Sequence, residues 1–386
     1  MGNILTRSEL EYHFDAVLNN NYKDIKSNKK YSYGRNAVKS YIIETHIFKE
    51  NPLRDRVLAS VLARAKEIDS ETKLHETNEE SLIYLETEQL DFYVDIADPR
   101  YMVFHSADPT KQSDPFIKKF YSANGYDSIW LPVPLLLQTI DFGKFWGMSV
   151  SFQQALDEPE NDEIGGPEET QDVSLSVKRH FAKTFFETLI NSDINNMLGI
   201  SKLSILRGDS IKDSSTDRKF IIDDIKYNGK LTAKGNSFSR HSRLVYELVN
   251  LYGDVIDKFE TYGMSFEEGY LSGNPFTITF SKKIEPKKLV DLMFNGNQPF
   301  RLWGMEDEIG HKQYRVYAVD MHNGNHGNKL TFEITSDYIR VSLPKHACAN
   351  TLLRLFANLN HYVDAMAKME VVNYELKVDL SRTRLS

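Results

Sequence analysis

Asp224-Ile225-Lys226 sits in a segment that alternates like a β-strand. An acid-x-lysine triplet on a strand is how many metal-dependent nucleases hold Mg²⁺ and orient water, provided a second carboxylate lies nearby. Asp213 upstream is the candidate second acid, so Asp213, Asp224 and Lys226 form a possible catalytic set with Mg²⁺ as cofactor. The pattern is not selective. At least six such triplets occur, Glu375-Leu376-Lys377 among them, where composition alone produces roughly four. The same residues therefore also read as a solvated strand face.

Asp320, His322 and His326 offer a carboxylate and two histidines within seven residues, a possible metal set with one more ligand. Their setting, Asn323-Gly324-Asn325-His326-Gly327-Asn328 between two strands, is equally that of an exposed hairpin tip. Familiar catalytic signatures are missing from the sequence: no Walker A loop, no Gly-x-Gly-x-x-Gly, no Gly-x-Ser-x-Gly, no His-Glu-x-x-His. The single cysteine, Cys348, excludes an intrachain disulfide.

Basic residues gather in three places that suit a phosphate backbone. The first is Lys29, Lys30 and Arg35 with Tyr31 and Tyr33. The second holds Arg218, Lys219, Lys226, Lys230, Lys234, Arg240 and Arg243. The third is Lys282 to Lys288. Basic residues interleaved with aromatic rings fit single-stranded nucleic acid, where charge follows phosphates and rings stack on bases. Lys345 and His346, placed where a strand runs into a helix over 346–367, form a further anion site, with Arg354 on the helix face opposite Cys348, Leu352, Leu355, Phe356 and Leu359.

The elements that must position these groups define a mixed α and β protein of the α+β class. At 386 residues more than one domain is expected. Residues 1–70 read as a helical N-terminal unit with helices from a capping box at Thr6, over 37–48, and from Asn51. Residues 85–156 read as a small α/β region. Residues 157–172 form an acidic exposed linker. Residues 173–270 are a helix-hairpin-helix region, with a helix over 175–189 and the Asn228-Gly229 hairpin marker. Residues 274–380 are a sheet with helices packed on one face, closed by a strand over 371–378.

Net charge is −8, but unevenly spread: 12 Lys/Arg against 7 Asp/Glu in residues 1–66, and 6 against 23 in residues 67–172. The ends can therefore meet a polyanion although the whole chain is acidic. No run is long and apolar enough to span a bilayer, and Met1-Gly2-Asn3-Ile4-Leu5-Thr6 fits only a permissive myristoylation pattern. These features predict a cytoplasmic, non-catalytic subunit of a multiprotein assembly, without cofactor or membrane contact. It would bind nucleic acid or a partner protein through the basic and aromatic clusters. The metal-dependent nuclease is the alternative.

Overall fold

The structure, a computed structural model, describes residues 6–28, 37–46, 53–153, 172–193, 195–208, 219–267, 269–321 and 329–378. The chain is α+β, 35% helical and 37% strand. Its sheets are built from antiparallel neighbours and not from βαβ crossovers. It divides into two compact units, each assembled from separated stretches. One comprises residues 1–129, 142–144 and 204–251; the other comprises 130–141, 145–203 and 252–386. The boundaries differ from the consecutive segments expected above, because strands distant in sequence pair within each unit.

In the first unit the central strand is β1 (Val38–Thr45), where the sequence suggested a helix over 37–48. All eight residues are buried, so no polar–apolar alternation marks it as a strand. Val38, Tyr41, Ile42, Ile43 and Thr45 nevertheless favour extended backbone. Strands β2 (Lys73–Glu76), β3 (Leu82–Glu86), β4 (Asp91–Asp95) and β5 (Tyr101–Ser106) form a meander ending against one edge of β1, and β6 (Tyr126–Ser128) pairs with Ile43, Glu44 and Thr45 on the other edge. With β7 (Lys144–Gln153), β8 (Asp172–Lys178) and β9 (Ile200–Gly208) intervening in sequence, β10 (Phe220–Lys226) and β11 (Lys230–Gly235) follow, β11 pairing with β1. Asn228-Gly229 turns β10 into β11 as the sequence indicated, with Gly229 at φ 73°.

Helices cover both faces of this sheet. Helix α1 (Arg7–Asn28) begins with the expected capping box: Glu9 N donates to the Thr6 hydroxyl at 3.2 Å, and Thr6 N to the Glu9 carboxylate at 3.1 Å. Its Leu10, Phe14 and Leu18, four residues apart, pack on Val38, Ile221, Ala233 and Phe238. Helices α2 (Arg54–Ile68) and α3 (Thr110–Tyr121) bury Val57, Val61, Phe116 and Phe120 against Tyr41, Ile43, Phe92 and Phe104 on the other face. Each such side chain contributes about 1.5–3 kcal/mol by leaving water.

In the second unit α4 (Val133–Gln138) follows the buried segment at Ile129 to Pro132. Strand β8 pairs with β7, and α5 (Ala182–Ile190) follows. The helix expected over 175–189 therefore starts only at Ala182. Val173, Leu175 and Val177 alternate with Ser174 and Ser176, a two-residue period that the strand satisfies. Helix α6 (Phe238–Glu260) places 238–251 in the first unit and the remainder in the second.

The expected C-terminal sheet is present. Beyond the hairpin of β12 (Ser265–Glu267) and β13 (Tyr270–Ser272), seven strands follow: β14 (Phe276–Thr279), β15 (Leu302–Gly310), β16 (Gln313–Asp320), β17 (Leu330–Ile334), β18 (Tyr338–Ser342), β19 (Lys368–Val371) and β20 (Tyr374–Leu376). They lie in the order β15-β16-β17-β18-β14-β19-β20. One face holds Phe276, Ile278, Val316, Phe332 and Ile339, all buried. Phe259 of α6 meets Phe276 on that side, and Phe294, just past α7 (Pro286–Met293), meets Phe332 edge-on. The opposite face, carrying Trp303, Met305 and Tyr317, is exposed. The single terminal strand expected over 371–378 is instead the β19–β20 hairpin, turned at Val372 with φ 45°.

Helix α8 (Asn350–Tyr362) departs most from expectation. It begins four residues later than the sequence suggested, and Asn350 through His361 are all buried. The polar face read as solvated, including Arg354, Asn358 and His361, lies inside the unit. Arg354 pairs with Asp320 at the end of β16 and donates from Nε to the Phe300 carbonyl at 3.2 Å. The Thr351 hydroxyl also donates to Asp320. Asn360 accepts from the Val133 amide at 3.1 Å. The helix is polar because it anchors loops as well as packing. Asp320→Ala leaves the Arg354 guanidinium buried without its counterion, and urea denaturation should show a loss of about 3–5 kcal/mol. A loss below about 1 kcal/mol would mean that the pair is solvated in solution.

Candidate anion-binding site

The alternation of β1 sends Ser40 to the face covered by α1 and α6, and Lys39 and Tyr41 to the other. Each side carries a polar cluster in the interior of the first unit, and the two differ in what they can do.

On the α1 side, the Ser40 hydroxyl lies 2.6 Å from His105 Nδ1 and 2.6 Å from His241 Nε2, while His241 Nδ1 lies 2.5 Å from the Asp223 carboxylate. With His241 neutral and donating from Nδ1 to Asp223, its Nε2 accepts the Ser40 proton and Ser40 accepts from His105 Nδ1; with His241 protonated, Nε2 donates to Ser40 instead. Burial, reinforced by His241, pushes His105 down to about 3. The order Asp–His–Ser is that of an activated nucleophile. Ser40, Asp223 and His241 are nevertheless fully buried. The Phe14 and Phe238 rings stand 6.3 and 5.3 Å from His105. The chain of bonds therefore pins β1, β5, β10 and α6 to one another.

Helix α1, which covers this cluster, is fixed at its start. Arg7 pairs with Asp95, Nη2 reaching one carboxylate oxygen at 2.8 Å, and Arg7 Nε lies 3.0 Å from Glu79. Further along, Asp15 accepts the Phe238 amide that opens α6, at 2.5 Å.

On the opposite face, register places Lys39 beside Thr232, Tyr41 beside Lys230, Asp224 beside Thr232, and Ile222 beside Lys234. Directly paired residues share a face, so Lys39, Lys230, Thr232, Lys234, Asp224 and Lys226 come together on β1, β11 and β10. Lys230 binds Asp114 of α3, 2.7 Å from one oxygen, and its ammonium lies 5.4 Å from the Tyr41 ring centre. The Tyr41 hydroxyl donates to the same carboxylate at 2.6 Å. Lys234 pairs with Asp224, which also accepts from the Ser204 hydroxyl at 2.6 Å.

Lys39 is 1% exposed. Its ammonium donates to the backbone carbonyls of Asp108 and, at 3.5 Å, of Ala107. Burial first, and then the nearby Lys230 charge, bring it down to about 8. Burial and Lys226 likewise lower Lys230 against the pull of Asp114. Four lysines thus face three side-chain carboxylates, Asp108, Asp114 and Asp224, in a half-desolvated setting. Like charges so placed weaken the fold on their own.

The remaining sequence candidates fall elsewhere. Arg240 and Arg243 lie on α6, which covers the Ser40 face, so the structure does not bring them to the lysines. Lys230, read as a surface contact, is buried on Asp114. Arg354 is fully buried and ion-paired, and so is corrected from a surface anion ligand to a core residue. Lys345 and His346 are exposed in the turn before α8 and outside its first helical turn, with His346 at φ 69°. Asp320 is held by Arg354 and Thr351, a structural role in place of the metal role considered above. Lys29, Lys30, Tyr31, Tyr33, Arg35, Asp213, Arg218, His322 and His326 lie outside the described residues. Sequence reasoning missed Lys39, Ser40, His105, Asp223 and His241. They meet only through long-range pairing, and no local spacing links them.

The fold and this cluster define a two-unit α+β protein with a lysine-lined sheet face in its N-terminal unit. The chain belongs to the MJECL33-like protein family, whose model matches residues 1–378. It is 25% identical to "Uncharacterized protein MJECL33" of Methanocaldococcus jannaschii over 406 residues, covering 96% of this chain and 95% of that protein. No solved structure matches the chain. Among the described residues, no helix is long and apolar enough to cross a membrane.

The Ser40 cluster predicts an acid-labile fold. His105 has a folded value near 3 against an ordinary 6.5, so between those values the unfolded chain binds the extra proton. Stability is therefore full above about pH 6.5 and falls as pH drops towards 3. Thermal unfolding from pH 7.5 to 4 should show this decline, with a shallower slope in His105→Asn.

Proposed function

We propose that the protein is a non-catalytic nucleic-acid-binding component of a larger assembly, and that the half-buried Lys226 and Lys234 contact the phosphate backbone while the buried Lys39 and Lys230 add their charge from beneath. The observation that carries this reading is the convergence of four lysines on one sheet face against three carboxylates, Asp108, Asp114 and Asp224. Such an arrangement repels itself when empty and is relieved by an oxyanion. Thr232, half-buried between Lys39 and Asp224, supplies a hydroxyl donor at the centre of the same face.

A second reading, a metal-dependent nuclease, is favoured by one feature: Asp224 and Lys226 point to the same face of β10. It requires the Lys234 ammonium to leave Asp224 so that a divalent ion can take its place. Adding Mg²⁺ or Mn²⁺ to the binding assay separates the two readings, because cleavage of the oligonucleotide belongs only to the second.

Fluorescence anisotropy with a single-stranded oligonucleotide should show binding that weakens steeply with salt. Lys226→Glu with Lys234→Glu should weaken it by at least about tenfold. Affinity should also fall as pH rises through about 8, where Lys39 loses its charge, and Lys39→Met should remove that step. Salt-independent binding, or wild-type affinity in the double variant, would refute the placement.

A further inference from the structure

Strand β15 is an edge of the seven-stranded sheet, with β16 as its neighbouring strand and an isolated antiparallel bridge from Trp303 to Asn295 on its outer side. Its first residues are covered on the outer side: Gly296 N donates to the Leu302 carbonyl at 2.8 Å and Gly304 N to the Phe294 carbonyl at 3.3 Å. No such bond is recorded for residues 305–310 among the described residues. This stretch also borders an apolar row on the open face of the sheet. Trp303, Met305 and Tyr317 are 52%, 69% and 49% exposed, and Ile309 extends the row.

Natural edge strands are usually blunted by charged side chains, lysine above all, by proline, by a bulge or by a short length. β15 is nine residues long and has neither lysine nor proline, and its one irregularity falls between Glu308 and Gly310. What it carries instead is Glu306-Asp307-Glu308, all exposed. Glu306 is held by Lys287. Asp307 stands across from Arg315, whose guanidinium is bonded to Glu333 at 3.2 Å.

Two copies of this edge laid antiparallel about Asp307 would bring the acids face to face, which bars self-association through β15. The same acids favour lysine or arginine on an added strand, and the apolar row gives its alternate side chains a surface. We propose that the 305–310 edge of β15 receives an extended, basic segment of a partner protein as an additional strand. Main-chain bonds would supply affinity, the acids and the Trp303–Met305–Tyr317 row selectivity. The inference concerns the second unit and stands apart from the lysine face of the first.

The test uses the full chain and a fluorescent peptide of about eight residues alternating lysine and valine. Two controls accompany it, a glutamate–valine peptide and a lysine–valine peptide N-methylated on alternate residues to remove strand donors. The lysine–valine peptide should bind and both controls should fail. Asp307→Lys with Glu308→Lys should weaken binding by at least about tenfold. Absence of binding, equal binding of either control, or undiminished binding to the double variant would overturn the proposal. So would a dimer in sedimentation that dissociates in Met305→Lys, since it would assign the edge to a second copy.

Discussion

Desolvation of polar side chains governs how this chain folds. A strand buried on both faces is ordinarily apolar throughout. β1 instead buries Lys39, Ser40, Tyr41 and Glu44, and each must find a partner, because an unmatched polar group inside a protein costs about 1–3 kcal/mol. Ser40 is satisfied by two histidines, Tyr41 by Asp114 and Ser113, Glu44 by Arg100, and Lys39 by the carbonyls that lead into α3. The partners come from β5 and the residue before it, from the turn into α3, from α3 itself and from α6. Satisfying one strand thus fixes the arrangement of most of the first unit. Helix α8 applies the same rule in the second unit, where buried Arg354, Asn358 and Asn360 hold Asp320, Pro299 and Val133.

Within that economy the lysine face is the exception. Other buried charges are matched: Asp95 by Arg7, Glu44 by Arg100 and Asp320 by Arg354. On that face four ammonium groups outnumber the carboxylates of Asp108, Asp114 and Asp224, and the Lys39 ammonium donates to backbone carbonyls. Excess charge of one sign in a confined setting lowers stability and raises affinity for the opposite sign. That asymmetry is the physical basis for placing an anion-binding function there.

Much of the architecture was legible in the sequence wherever one face of an element meets water. The Asn228-Gly229 hairpin, the long α6 stripe and the alternating strands of the C-terminal sheet were read from period and turn chemistry. The readings that failed involved residues buried all round. Residues 38–45 lacked alternation because both faces are interior, and α8 was assigned a solvated face because its asparagines and arginine looked like surface. The site was partly legible too: Lys226, Lys230 and Lys234 come from one hairpin, so their proximity follows from local sequence. Lys39 joins them through the β1–β11 pairing, nearly two hundred residues away in the chain, which no spacing rule reveals.

The account turns on Lys39 being a charge-poised member of an anion site. Its ionisation can be followed directly by NMR of the ¹³C-labelled lysine Cε methylenes in the full chain, with Lys39→Met providing the assignment. The account predicts titration near pH 8 in the free protein and a clear upward shift on saturation with single-stranded oligonucleotide. Titration near the ordinary lysine value in the free protein, or an unchanged midpoint with the oligonucleotide bound, would contradict it.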